Sequence, residues 1–170
     1  MFISPIKAIE EKWITGVEDQ NLIQPNAIDI TADRIFKINA SNVFSLSKNG
    51  KTHRNRSELT NPNTWRLDPG VYDIMSNCYV EMPAGVAGYL ITRSTLNRNG
   101  TFILSGLYDS GYKGPIQCVL YNLFSKTYLE PHVPVAQFIF VESHNHGKYL
   151  GGYNTTKGIL PDYILKQDKE

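Results

Sequence analysis

After the first sixteen residues, short apolar runs separated by polar turn signals occupy most of the chain, the pattern of many short strands. Runs rich in Val, Ile, Tyr, Phe and Thr predict strands at 28–31, 34–38, 71–74, 78–82, 87–92, 101–104, 116–121, 128–130 and 135–142. Turn signals punctuate them: Asn49-Gly50, Pro69-Gly70, Pro83-Ala84-Gly85, Asn99-Gly100, Gly111 and Gly114. Helical spacing occurs at the start, where Ser4 can cap, Pro5 suits the first helical position, and Ile6, Ile9 and Trp13 share a face before Gly16. The pattern predicts a mainly β, jelly-roll-like antiparallel fold with one short amino-terminal helix.

Two stretches interrupt the run of strands. Residues from about 46 to 65 are polar and basic, with Lys48, Lys51, His53, Arg54 and Arg56. They read as a solvated excursion between two strands, because interleaved aromatics that could stack on nucleic-acid bases are missing. From Ser143 the chain is rich in Gly, Asn and Thr and then ends in Lys166-Gln-Asp-Lys-Glu170, which should fray. The expected organisation is one β domain over 1–142 and a mobile carboxy-terminal arm over 143–170.

Composition narrows the partners. A chain of 170 residues can bury a core without staples. Seventeen Lys+Arg against sixteen Asp+Glu give a net charge of +1, so no global field favours nucleic acid or membrane. Cys78 and Cys118 lie in apolar runs and read as reduced core residues of an intracellular protein. No CxxC pair or Cys/His cluster occurs, which excludes a zinc deaminase. No leader-like start and no membrane-length apolar run is present, so the expected compartment is the cytoplasm of a cell or an infected host.

The densest chemistry lies in Gly106-Leu-Tyr-Asp-Ser-Gly-Tyr-Lys-Gly114, which sets a carboxylate and an aromatic ring at a strand-turn-strand boundary. Asp109, Ser110 and Gly111 supply the turn, so Asp109 and Tyr112 should lie close together. An ordinary β-turn would use the same residues for backbone geometry alone. The segment resembles the third signature motif of trimeric dUTP pyrophosphatases, Gly-x-x-Asp-x-x-Tyr-x-Gly, at every fixed position.

Four further segments resemble the other ordered motifs of the dUTPase and dCTP deaminase superfamily, spanning Ile23 to Gly158. Ile23-Gln-Pro-Asn-Ala-Ile-Asp29-Ile is similar to the first, in deaminase-like wording, and Asp29 between two isoleucines needs a charged or hydrogen-bonding partner. Ile91-Thr-Arg93-Ser94-Thr95-Leu96 is similar to the Arg-Ser-Ser segment. An Arg fork and small hydroxyls suit phosphate oxygens. Val133-Pro-Val-Ala136-Gln137 resembles the fourth motif. Lys148-Tyr-Leu-Gly-Gly152-Tyr153-Asn-Thr155-Thr156-Lys-Gly158 resembles the glycine-rich arm, though Asn154 and Lys157 interrupt its glycines and Lys replaces its Arg.

What the resemblance implies is a homotrimer that hydrolyses dUTP to dUMP and pyrophosphate with Mg2+ held mainly through the triphosphate. Asp109 would orient the attacking water. Tyr112 would pack beneath the deoxyribose, Gly106 and Leu107 would pair with uracil through their backbone, and Tyr153 would stack on the base. Arg93, Ser94, Thr95, Gln137, Lys148, Thr155 and Thr156 would hold phosphates, with Asp29 in support. The related dCTP deaminases carry their catalytic Glu on the strand after the hairpin glycine; counting from Gly114, Val119 stands there. That absence favours hydrolysis over deamination or a bifunctional enzyme. A regulatory, non-catalytic relative would be expected to lose Asp109 or the arm.

Overall fold

The computed structural model describes residues 1–60, 63–144, 147–157 and 159. The chain opens with α1 (Pro5–Glu10), then β1 (Ile14–Thr15), a 3-10 turn at Gln20–Leu22, β2 (Ile28–Thr31) and β3 (Arg34–Ile38). Next come β4 (Leu46–Ser47), β5 (Gly50–Lys51), β6 (Arg56–Glu58), β7 (Trp65–Leu67), β8 (Gly70–Glu81) and β9 (Val86–Thr92). The second half holds α2 (Ser94–Arg98), β10 (Thr101–Leu104), β11 (Lys113–Asn122), β12 (Thr127–Leu129) and β13 (Pro134–Glu142).

All strand pairings among the described residues are antiparallel. The larger sheet runs β10-β11-β8-β3-β6, with β1 also on β8, and the smaller runs β2-β13-β9. One core lies between them: Ile35, Ile74, Ile116 and Leu120 of the larger sheet pack with Ile28, Ile30, Leu90 and Phe138 of the smaller. Alternation along β11 is regular. Ile116, Cys118 and Leu120 are buried toward this core, whereas Gln117, Val119 and Tyr121 are half-buried on the outer face.

Several elements differ from the sequence expectation. The helix ends six residues before Gly16, because Lys12 takes a left-handed φ of 58° and the Trp13 N–H returns to the Ala8 carbonyl at 2.8 Å. Ala8 rather than Ile6 anchors it: Ala8 is fully buried and Ile6 is exposed. Gly16 is needed for another reason, since a Cβ there would lie 2.5 Å from the Asn77 carbonyl oxygen. The runs 71–74 and 78–82 form one strand, as Ser76 Oγ accepts the Cys78 N–H at 3.1 Å and Asn77 donates to the Gly16 carbonyl at 3.2 Å. Their polar side chains are satisfied without a turn.

The basic stretch is not wholly solvated. It contains the β4–β5 ribbon, whose turn is Lys48-Asn49 rather than Asn49-Gly50 because Gly50 already pairs with Ser47, and β6, which joins the edge of the larger sheet through β3. Helix α2 is too short for periodicity to reveal, with Leu96 as its one partly buried apolar residue. Both cysteines are buried thiols, and burial pushes Cys78 up to about 11. Gly158 and the frayed end expected at Lys166–Glu170 lie outside the described residues.

Candidate active site

The cavity follows from how β10 and β11 diverge. They pair from Thr101↔Asn122 to Leu104↔Val119; β11 pairs with β8 from Lys113↔Glu81 to Asn122↔Gly70, so its first half has lost β10. Segment 105–112 swings away to β9, where Tyr108 and Gly88 exchange two backbone hydrogen bonds of 2.8 and 2.9 Å. The gap is a cavity of about 370 Å³ bordered by Gly106, Leu107, Tyr112, Val119 and Tyr153. That volume lies in the small-molecule range of roughly 300–1,000 Å³.

The turn holding Asp109 is closed by the Tyr112 N–H on the Asp109 carbonyl at 3.0 Å, with Gly111 at φ 87°. Tyr112 is fixed on three sides. Its hydroxyl donates to the Pro115 carbonyl at 3.2 Å, and its ring meets Tyr108 and Tyr149 edge-on at 5.4 and 5.5 Å. Burial pushes this phenol above its ordinary value of 10.0, so it stays neutral. Gly114 makes room, because a Cβ there would lie 2.2 Å from the Tyr112 hydroxyl oxygen.

Asp109 is exposed and borders an adjoining cavity with Ala87, Ser110 and Lys148. The tail packs over this hairpin. The Tyr149 N–H bonds to the Ser110 carbonyl at 2.7 Å, the Lys113 N–H to Asn154 Oδ1 at 2.9 Å, and the Thr155 N–H to the Lys113 carbonyl at 2.9 Å. Lys51 of β5 lies 3.9 Å from the Tyr153 ring centre. Thr155 turns its hydroxyl inward, where it is buried without a hydrogen bond among the described residues; Thr156 is exposed.

Asp29, Arg93 and Gln137 form a second group. The Asp29 carboxylate is 2% exposed; it accepts from Gln137 Nε2 at 3.0 Å and Gln24 Nε2 at 3.2 Å, and pairs with Arg93 at 3.2 Å. Register explains the meeting, since Gln137 lies opposite Asp29 on one side and Ile91 on the other, two residues before Arg93. Ser94 and Thr95 are exposed at the start of α2, and Arg93 and Thr95 border a separate cavity of about 430 Å³. Gly88, which meets the hairpin, and Arg93 are five residues apart on or just beyond β9, about 16 Å of extended chain. Among the described residues, the hairpin and the Arg93 group border different cavities.

Arg56 and Asp73 are among the polar residues of the hairpin cavity that the sequence did not mark as site residues. Arg56 donates from Nε to Asp73 Oδ2 at 2.7 Å, and both border the cavity. Burial raises the Asp73 carboxyl above its ordinary value while Arg56 pulls it down. The signal was available: Asp73 stands in the strand Val71-Tyr72-Asp73-Ile74, as isolated among apolar residues as Asp29. Among the described residues no group of three or more His, Cys, Asp or Glu is placed to hold a metal. No helix there is long and apolar enough to cross a membrane.

Residues 6–143 match the family model described as dCTP deaminase-like. The deoxyuridine 5′-triphosphate nucleotidohydrolase of Methanocaldococcus jannaschii is 32% identical over 139 residues, covering 79% of this chain and 88% of that one. A probable deoxyuridine 5′-triphosphate nucleotidohydrolase of Methanopyrus kandleri is 28% identical over 137 residues, covering 79% and 89%. Among solved structures, the 2′-deoxycytidine 5′-triphosphate deaminase from Agrobacterium tumefaciens superposes with a TM-score of 0.65 at 15% identity. That match takes in 84% of this chain and 48% of the deaminase, so it speaks to the fold.

Proposed function

The chain belongs to the dCTP deaminase-like family, within the superfamily that includes the dUTP nucleotidohydrolases, and from that premise we propose that it hydrolyses dUTP to dUMP and pyrophosphate. The observation that carries this reading is the single cavity bordered by Gly106, Leu107, Tyr112 and Tyr153. Uracil pairs there with the backbone around Gly106 and Leu107. The neutral Tyr112 lies beneath the deoxyribose and leaves no room for a 2′-hydroxyl, while Tyr153 closes over the base. Asp109, exposed at the turn, accepts a hydrogen bond from water and aims it at the α-phosphorus. Lys148, beside it, meets the phosphates.

The phosphate tail lies against the second group, with Arg93 oriented by Asp29 and joined by Gln137, Ser94 and Thr95. Because one chain keeps the two groups apart, a complete site uses more than one chain, and a homotrimer is the proposed assembly. Thr155 and Thr156 join the phosphates once the arm has moved, since the Thr155 hydroxyl is turned inward here. Single carboxylates rather than a ligand cage suit Mg2+, which keeps its waters and arrives with the triphosphate. When bound, the ion neutralises phosphate charge and fixes the path of the triphosphate.

The test is incubation of the pure protein with each dNTP and Mg2+, resolving nucleotide, pyrophosphate and ammonia. dUMP and pyrophosphate from dUTP are expected. Ammonia from dCTP would mean deamination, with a carboxylate other than one at position 119 moving the proton.

A further inference from the structure

Asp73 sits in the middle of β8, opposite Val119 of β11 on one side and Phe36 of β3 on the other. Residues directly opposite in a ladder share a face, so all three belong to the outer face of the larger sheet, where the cavity opens. Arg56 comes from the edge strand β6, opposite Ile38. Its side chain reaches back across β3 to Asp73, leaving the two side chains 11% and 7% exposed. A second pair on this sheet makes the contrast. Arg34 and Glu58 meet at 2.6 Å with side chains 32% and 35% exposed, and neither borders the hairpin cavity. Desolvating an ion pair offsets most of its attraction, so stability does not account for burying Arg56 and Asp73.

Position supplies a reason. Uracil and cytosine differ at C4, where uracil carries an acceptor oxygen and cytosine an amino donor. Backbone provides both donors and acceptors, whereas a guanidinium has five N–H donors and no acceptor. Such a group satisfies the uracil oxygen and opposes the cytosine amine. Val119 adds an apolar wall, and the nearby Asp73 carboxylate is engaged by Arg56. On the proposed dUTP reading, we infer that Arg56, positioned by Asp73, determines base specificity by donating to O4 of uracil. The basic stretch thus supplies one wall of the site.

The experiment compares kcat/KM for dUTP and dCTP, as pyrophosphate release, in the full chain and in Arg56→Met. Losing a charge-assisted hydrogen bond should lower the dUTP:dCTP ratio about 10- to 100-fold, and Asp73 becomes able to accept from the cytosine amine. A structural role would lower both substrates together. Because Arg56→Met strands a buried carboxylate, Arg56→Met/Asp73→Leu serves as the variant that folds; its ratio should also fall, through dUTP alone. An unchanged ratio in both variants, with wild-type dUTP hydrolysis intact, overturns the inference and leaves the function standing. Calorimetric binding of dUMP and dCMP separates the other failure. A wild-type chain that prefers dUMP without hydrolysing dUTP, and loses that preference in the double variant, sinks the hydrolase reading and keeps the Arg56 assignment. A wild-type chain indifferent to the base overturns both.

Discussion

Two carboxylates with different surroundings lead to separate experiments. Asp109 is exposed at a turn, and replacing it with Asn keeps its shape while removing the charge that orients water. Loss of general-base help costs about 10²–10⁴-fold in rate, so Asp109→Asn should lose that much kcat while binding dUTP with unchanged affinity. Wild-type turnover would return Asp109 to a purely conformational part in the turn. Glu58 concerns stability instead. The Arg34 fork holds it below its ordinary value of 4.5, so its contribution is present above about pH 4.5 and is lost as pH falls through the lower folded value. The variant Glu58→Gln should therefore show a shallower fall of Tm on acidification than the wild type in that window, by thermal melts from pH 3 to 6. Asp73 works with the opposite sign. Burial raises its carboxyl, and that contribution fades as pH rises through the folded value, so only the Glu58 variant isolates the acid side.

At the scale of elements, strands announced themselves as short runs of β-branched and aromatic residues bounded by turn signals. Residues 28–31, 34–38 and 101–104 carry the boundaries that the pattern predicts, although β2 is buried on both faces and only β10 buries one face cleanly. Legibility failed where tertiary contacts override local pattern. Strands β6 and β7 are three residues each, too short to show a period, whereas β12 lies one residue before its predicted run at 128–130. Lys12 ends α1 through a left-handed turn that its side chain does not advertise. Meeting of Asp29 with Arg93 depends on the register of β2, β13 and β9 and was legible only as a need for some partner. Gly88 shows how tightly an element can be tied to the site. A Cβ there would lie 2.5 Å from the Phe138 ring, which is fully buried with Tyr108 and Phe140 rings 5.0 and 4.8 Å away. Overpacking of this kind costs roughly 1–3 kcal/mol, so Gly88→Ala should lower Tm by several degrees and disturb the Tyr108 bridge that opens the cavity. An unaltered melting curve would mean that β9 and β13 shift apart freely. The tail, by contrast, is held by a few hydrogen bonds to the hairpin. Truncation after Gly147 should leave the circular dichroism of the sheets intact and abolish most dUTP turnover; normal turnover would remove the arm from the site.

The whole molecule is where the two halves of the site must meet. Asp29, Arg93 and Gln137 are joined by three adjacent strands, and the hairpin joins the same β9 at Gly88, about 16 Å away along the strand. On the proposed reading the hairpin and the Arg93 group are separate stations on one sheet, and the shared-site assembly is the arrangement to be tested. A second copy closes that separation if its Arg93 group faces the first copy's hairpin. Closed rings of identical subunits repeat such a contact around the axis, and light scattering should give a mass three times 19.2 kDa. Mass alone does not show that sites are shared, but mixing does. Asp109→Asn chains lack a working hairpin and Arg93→Ala chains lack a working phosphate group, so each homotrimer should be nearly inactive. Unfolded together in equal amounts and refolded, they assort at random around the ring. A site then works when its hairpin comes from an Arg93→Ala chain and its phosphate group from an Asp109→Asn neighbour, which holds for about a quarter of the sites in a closed ring. Recovery of roughly that fraction of wild-type dUTP hydrolysis places the reaction between chains. Recovery no greater than the mean of the two parent variants would confine each site to one chain and overturn the shared-site assembly.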